Sequence, residues 1–425
     1  MPTDNEYNYL ADKAYAVDSK REKENARIPV KKGSILEVTD KDNKIINSYE
    51  VLKVKDNVEN GMQAMAVAPI KNGKPDTSQV VIAFAGTNAD DGLDILTDTQ
   101  TVGLNKDTLT TSVEVPSNSS KTETHKKIVD AQSVTALQFA DEIRKKYPNA
   151  SISTTGHSLG EYLALLVAAE NKWLNVGFNG PDPYGILSNE AKEWVKNNPG
   201  WLTNFRNRGD AIGNLMGNGT GAEIKISLAM GLNPLKGAFH NLSTWKFDDK
   251  GRLIIPKNDY NKKAIQQESE RQLMQQFVMG MVVLQELKAK FQASGGGLST
   301  NEKIYLEDSQ ALAVVQLASS EFELAMTNTI KIYQEGMLDL EKLWQKCVSK
   351  ARNGASDLSH GEIMEMLNSV DCTESKMVTL PNEEFREKIA KAKQMREKFT
   401  RLVSEIKSKI AELVQRDQEL ARQLE

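Results

Sequence analysis

Cysteine is nearly absent: Cys347 and Cys372 are the two in 425 residues. So small a number excludes a disulfide framework and leaves either two half-buried thiols or a single bridge between them. Histidine is scarce as well, with four in the chain. No Cys/His group has the spacing of zinc ligands, so no metal or other cofactor is expected. An excess of positive charge is missing, the formal net charge being -4, which argues against nucleic acid as a partner. Long apolar runs are missing too. The richest, residues 277–284 (FVMGMVVL), is far below the ~18 to 20 residues of a membrane span. Its flanks carry Gln, Glu and Lys, so it reads as a buried helix face. Residues 1–30 lack the apolar core and small-residue cleavage site of a secretory signal. The expectation is a chain made in the cytoplasm that either stays there or leaves by a route without a cleaved signal.

What is present suits an ordinary globular protein of two domains, with 39% hydrophobic and 26% charged residues. Residues 5–20 set Tyr7, Leu10, Ala11, Ala14 and Tyr15 on one face of a helix. Strand-like segments follow at 34–38, 45–54, 63–69 and 80–85, the last after the turn Lys71-Asn72-Gly73-Lys74. The run VVIAFAG is continuously apolar, which suits a strand buried on both faces. A stretch rich in Asp, Thr and Asn covers 87–124, and its segment 88–120 is a candidate lid. A helix is predicted over 125–146, with Ile128, Val129, Val134, Leu137, Phe139, Ala140 and Ile143 inward and Tyr147-Pro148-Asn149 as its stop. A strand at 151–154 then runs through the Gly156 turn straight into another helix. Strands at 174–178 and 202–207, with a helix at 189–197 between them, complete an alternation that implies a mainly parallel sheet covered on both sides.

Past residues 248–263 strand patterning ends. Helices are predicted over 264–293, over 300–351 behind a capping box of Ser299 and Glu302, after a second box of Ser359 and Glu362, and over 382–424. The chain thus divides into an α/β domain, residues 1–255, and an all-α elongated helical domain, residues 256–425.

Gly156-His157-Ser158-Leu159-Gly160, between strand and helix, is the setting of a nucleophile elbow and makes Ser158 the candidate nucleophile. A serine hydroxyl needs a base, and four histidines leave little choice. His157 lies inside the elbow and is expected to point away from the serine and make a structural hydrogen bond. His125 starts the predicted helix upstream, and His360 belongs to the helical domain. His240, in GAFHNLSTW, remains, downstream of the serine as the order Ser, acid, His requires. The orienting acid belongs at the end of a strand between the two. Asp210, after LTNFRNRG, fits best, with Asp182 of Gly180-Pro181-Asp182-Pro183 as its competitor. The oxyanion donors are expected to be the amides of Leu159 and of Thr87, in the turn after Phe84-Ala85-Gly86.

A strand ending in Gly-Thr, a polar loop with acids between Asp90 and Asp98, an amphipathic helix, Gly-His-Ser-Leu-Gly, a later Gly-Asp and a final His resemble the class 3, fungal-type lipases. The resemblance covers about residues 5–250 and implies an α/β-hydrolase fold and a serine esterase acting on lipid esters, phospholipid or glycerolipid. Two positions depart from that pattern: Ala85 stands where the family usually has Arg, and Glu161 replaces its usual second glycine. With the C-terminal helices added, the chain is similar to type VII secreted lipases of Gram-positive bacteria. That likeness implies small helical partner proteins bound to residues 256–425 and export without a cleaved signal. Two other readings stay open. Gly-His-Ser-Leu-Gly-Glu-Tyr and Ala238-Phe239-His240 are similar to segments of malonyl and acyl transferases. Against this, the transferases' Gly-Gln-Gly loop is absent and Gly180-Pro181-Asp182-Pro183 replaces their Arg-Gly segment. The third reading is a helical interaction protein with a weakly active hydrolase domain.

Overall fold

The computed structural model describes residues 1–17, 28–40, 42–86, 108–116, 122–228, 238–293 and 300–424. The chain divides into two compact units, Met1–Gln275 and Gln276–Glu425.

The first unit opens with α1 (Asp4–Ala14), started by a capping box in which Thr3 Oγ1 accepts the Glu6 amide and the Glu6 carboxylate accepts the Thr3 amide. A 3-10 turn, Tyr15–Val17, follows it. Strands β1 (Ile35–Thr39), β2 (Ile45–Asn57), β3 (Met62–Lys71) and β5 (Gln79–Phe84) pair antiparallel, with the short β4 (Lys74–Pro75) folded back on β3. Asn72 and Gly73 both take positive φ, 52° and 75°, as the tight turn between β3 and β4 requires. From β5 onward the sheet is parallel through β8 (Ser151–Gly156), β9 (Leu174–Phe178), β10 (Leu202–Asn207) and β11 (Glu223–Ile226). Among the described residues this makes one nine-stranded sheet, ordered β1-β2-β3-β5-β8-β9-β10-β11 with β4 beside β3. The sheet is therefore mixed rather than mainly parallel. Its first strands are joined by turns too short for a crossover, which leaves antiparallel pairing as the available geometry.

Helices α2 (Gln132–Lys146) and α3 (Leu159–Asn171) pack on one face of the sheet, and α1 packs on the other. The pleat of β5 serves both: Val81 and Ala83 join Tyr7, Leu10 and Ala14, whereas Val80, Ile82 and Phe84 join Phe139 and Leu163. Burial on both faces is why VVIAFA shows no polar alternation. A further helix, α4 (Asn189–Asn197), is capped by Ser188 and packs beside α3.

The segment predicted as one helix from 125 to 146 is divided. Its first residues belong to β7 (Thr122–Asp130), which pairs antiparallel with β6 (Thr108–Pro116), and α2 starts only at Gln132. Both strands are rich in β-branched residues, which favour the pleated conformation. Of the candidate lid, 108–116 is thus a strand, and 88–107 and 117–120 lie outside the described residues.

The units meet within α5 (Lys262–Ala293), downstream of the change in patterning at residue 255. The first turns of α5 belong to the α/β unit because they are pinned to it. Arg271, buried, reaches Asp4 of α1 at 3.0 Å and Glu268 at 2.6 Å.

In the second unit α6 (Thr300–Gly354) is followed by α7 (His360–Ser369) and α8 (Leu380–Leu424). Ser359 and Glu362 form the expected capping box of α7; Ser299 lies outside the described residues. Phe322 stacks on Phe399 at 4.1 Å and Tyr333 meets Phe385 at 5.4 Å, so α6 and α8 run antiparallel. Trp344, Ile363, Leu367 and Val378 make a small core where α7 joins them. At its edge the thiols of Cys347 and Cys372 are free, half-buried and 3.7 Å apart. Among the described residues, no helix is long and apolar enough to cross a membrane.

Candidate active site

Ser158 occupies the turn between β8 and α3 with φ 58° and ψ -130°, in the region an L-residue avoids. Glycines make that turn possible. A methyl group at Gly156 would overlap the backbone of Gly160. One at Gly160 would overlap the Phe84 carbonyl oxygen and stand 2.7 Å from the Ala85 carbonyl carbon and 2.8 Å from the Gly86 nitrogen. Close approach of α3 to the end of β5 therefore requires glycine at 160. Leu159 is the first residue of α3, where the helix itself offers its amide no acceptor.

His240 stands in a 3-10 turn, Ala238–His240, and its Nδ1 lies 3.0 Å from Asp210 Oδ2. Asp210 is buried just past β10, and its carboxylate also accepts the amides of Ile212 at 3.0 Å and Gly213 at 3.1 Å. The Phe239 ring seats this turn against Gly209, where a methyl group would come within 2.9 Å of it. Ser158 Oγ and His240 Nε2 are both buried, each without a hydrogen-bond partner. Asp182, the competing acid, is occupied elsewhere: Oδ1 accepts the Tyr184 amide at 2.8 Å, and Oδ2 accepts the Thr220 amide and hydroxyl at 3.1 and 2.5 Å.

The structure thus brings Ser158, Leu159, Asp210 and His240 to the ends of neighbouring parallel strands, while Thr87 lies outside the described residues. His125 is in β7, and His360 is exposed in the second unit. Among the described residues, no group of acids, histidines and cysteines is arranged to hold a metal ion.

The His157 ring lies between Tyr15 and the turn that carries His240. Its Nε2 is 2.6 Å from the His240 carbonyl oxygen, and its Nδ1 is 2.9 Å from the Tyr15 hydroxyl. Burial, and after it the neighbouring His240, push the ring's pKa down to about 3, so it is neutral at ordinary pH. Two residues here escaped sequence reasoning. Tyr15 reads as an apolar face residue of the first helix. Asn179, at φ 53°, donates to the carbonyls of Phe239 at 3.3 Å and His240 at 3.0 Å and accepts the Asn207 amide at 2.9 Å. Nothing in Phe178-Asn179-Gly180 but its turn character hints at this.

The family model described as Lipase (class 3) matches residues 81–174, from β5 through α3 to the start of β9. The match supports a class 3 lipase. It accordingly supports a lipid ester hydrolase with a serine nucleophile, and the stretch it covers holds the elbow. No curated protein and no solved structure matches the chain.

One departure from the family pattern has a visible accommodation. The Glu161 side chain is fully buried and fills space left by two glycines: a methyl group at Gly177 would overlap its carboxyl, and one at Gly180 its Cβ. The Asn175 amide nitrogen donates to Glu161 Oε1 at 2.9 Å and to the Thr203 carbonyl at 3.0 Å. Burial drives this carboxyl well above the usual carboxylate range, against the opposing effects of Asn175 and of the Arg206 charge.

Proposed function

We propose that the chain is a serine esterase that hydrolyses acyl bonds of phospholipids or glycerolipids, with Ser158 as nucleophile, His240 as base and Asp210 as its orienting acid. The observation that carries this reading is the 3.0 Å contact of His240 Nδ1 with Asp210 Oδ2; Ser158, held at positive φ, directly follows His157, whose ring bonds the His240 carbonyl at 2.6 Å. A carboxylate only accepts, so Nδ1 carries the hydrogen and Nε2 is the nitrogen left to take a proton. As Ser158 Oγ bonds to the acyl carbon, its proton passes to Nε2, and Asp210 stabilises the imidazolium. The amides of Leu159 and Thr87 hold the oxyanion, and the alcohol departs with the proton. Water, deprotonated by His240 in turn, then releases the fatty acid from Ser158.

Fatty-acid release from mixed phospholipid vesicles, followed by mass spectrometry, tests the reading. Wild type should release acid and Ser158→Ala should not. Release that survives in the variant would overturn the assignment. So would an acyl-enzyme formed on Ser158 from malonyl-CoA without lipid turnover, which would favour the acyl transferase.

Residues 256–425 are proposed to bind small helical partner proteins and to direct export without a cleaved signal. Exposed Ile332, Leu338 and Leu343 on α6, and Leu402, Leu413 and Leu420 on α8, support this by leaving apolar surface on long helices. Complex formation and export that persist after removal of residues 276–425 would rule it out.

A further inference from the structure

We propose that Tyr15 and His157 are a positioning pair for the base, setting where His240 stands relative to Ser158. The inference rests on the Ser158, His240 and Asp210 reading above. Asp210 fixes the His240 ring at one nitrogen, which leaves the ring free to tilt about that bond and leaves the main chain unheld. The turn carrying His240 belongs to no strand, so its depth must come from elsewhere. Its carbonyl oxygen is where other groups converge: His157 Nε2 at 2.6 Å and Asn179 Nδ2 at 3.0 Å. His157 is also the residue joined covalently to Ser158. Nucleophile and base are therefore referred to one and the same residue, through a peptide bond on one side and a hydrogen bond on the other.

This arrangement demands a single tautomer. A carbonyl oxygen only accepts, so His157 Nε2 must carry its hydrogen. In the neutral ring Nδ1 is then bare and takes the Tyr15 hydroxyl hydrogen at 2.9 Å. The His240 carbonyl thus sets the tautomer and Tyr15 supports it, its hydroxyl standing closer to Nδ1 than to the His157 carbonyl oxygen at 3.3 Å. Neutrality matters for a second reason. The His157 and His240 ring centroids are 4.6 Å apart, so a cation on His157 would oppose the imidazolium formed during acyl transfer. The same Tyr15 hydroxyl abuts the turn that ends β5, where a methyl group at Gly86 would stand 2.5 Å from it.

The test is the rate at which a fluorophosphonate probe modifies Ser158 in the full chain, followed by intact mass, with Ser158→Ala as the blank. Glutamine can present an amide nitrogen near where Nε2 stands, whereas leucine cannot donate at all. His157→Leu should slow modification about a hundredfold, the cost of a misplacement of roughly 1 Å. His157→Gln should recover most of that loss, and Tyr15→Phe should fall between them. On a soluble ester the loss should appear in kcat with KM little changed. Equal rates for wild type and His157→Leu would overturn the positioning role and leave the triad standing. The same holds for a Gln variant as slow as the Leu variant at equal melting temperature. A wild type that never reacts at Ser158 would sink the triad reading and this inference with it. Should His157→Leu fail to fold, Tyr15→Phe decides: a rate unchanged from wild type refutes the role.

Discussion

Replacing Glu161 with glutamine isolates a buried, neutral carboxylic acid. Glu161 lies in the first turn of α3, none of it exposed, and burial raises its pKa well above the value of about 4.5 that it has in an unfolded chain. The native state therefore keeps a proton that the unfolded chain gives up. Stability from this source is full below pH 4.5 and drains away as pH rises toward the native pKa. The slope is about 1.4 kcal/mol for each pH unit inside that window. Glu161→Gln keeps the shape and a polar end but cannot ionise, so its stability should lack this slope. Relative to wild type it should gain stability as the pH rises above the unfolded value, for as long as the native carboxyl stays protonated. Urea unfolding of both proteins at pH 5, 6 and 7 reads the difference. Tryptophan fluorescence is the suitable signal, since Trp173, Trp194, Trp201 and Trp245 all lie in Met1–Gln275. Stability differences that stay constant with pH would refute the reasoning, because they would mean that Glu161 is already ionised when folded.

Two further substitutions probe the packing around the site. Gly160→Ala drives a methyl group into the backbone of Phe84, Ala85 and Gly86, neighbours that cannot move aside as a side chain could. It should cost about 1–3 kcal/mol in urea unfolding, and displacement of the turn after β5, proposed to lead to an oxyanion donor, should slow ester turnover by about 10²–10³. A variant with wild-type kcat would show that α3 and the end of β5 need not touch. Arg271→Met strands Asp4 and Glu268, both buried, without their cation. The expected loss is about 3–5 kcal/mol in the unfolding of the first unit, and a loss under about 1 kcal/mol would mean that water reaches the cluster.

Much of this protein is local and could be read along the chain. The elbow is one case: a strand, two glycines and an apolar helix within Ser151–Asn171 leave the backbone little other choice, since both glycines face atoms only a few residues away or on the neighbouring strand. The double burial of β5 is another, because an unbroken apolar run from Val80 to Phe84 suits a strand covered on both faces. The long helices past residue 262 announce themselves by period, and Ser359 with Glu362 by capping chemistry. What sequence could not decide was pairing between distant parts. Asp182 and Asp210 both follow strands of the same sheet, and only the fold commits Asp182 to Tyr184 and Thr220 and brings Asp210 to His240. The segment 122–130 became a strand because 108–116 was there to pair with it. Tyr15 meets His157 across 142 positions of chain, and the room for Glu161 comes from glycines at 177 and 180. Periodicity reports which face of an element is buried. Which partner waits on the other side is fixed by how the elements stack, and that is a property of the packed sheet alone.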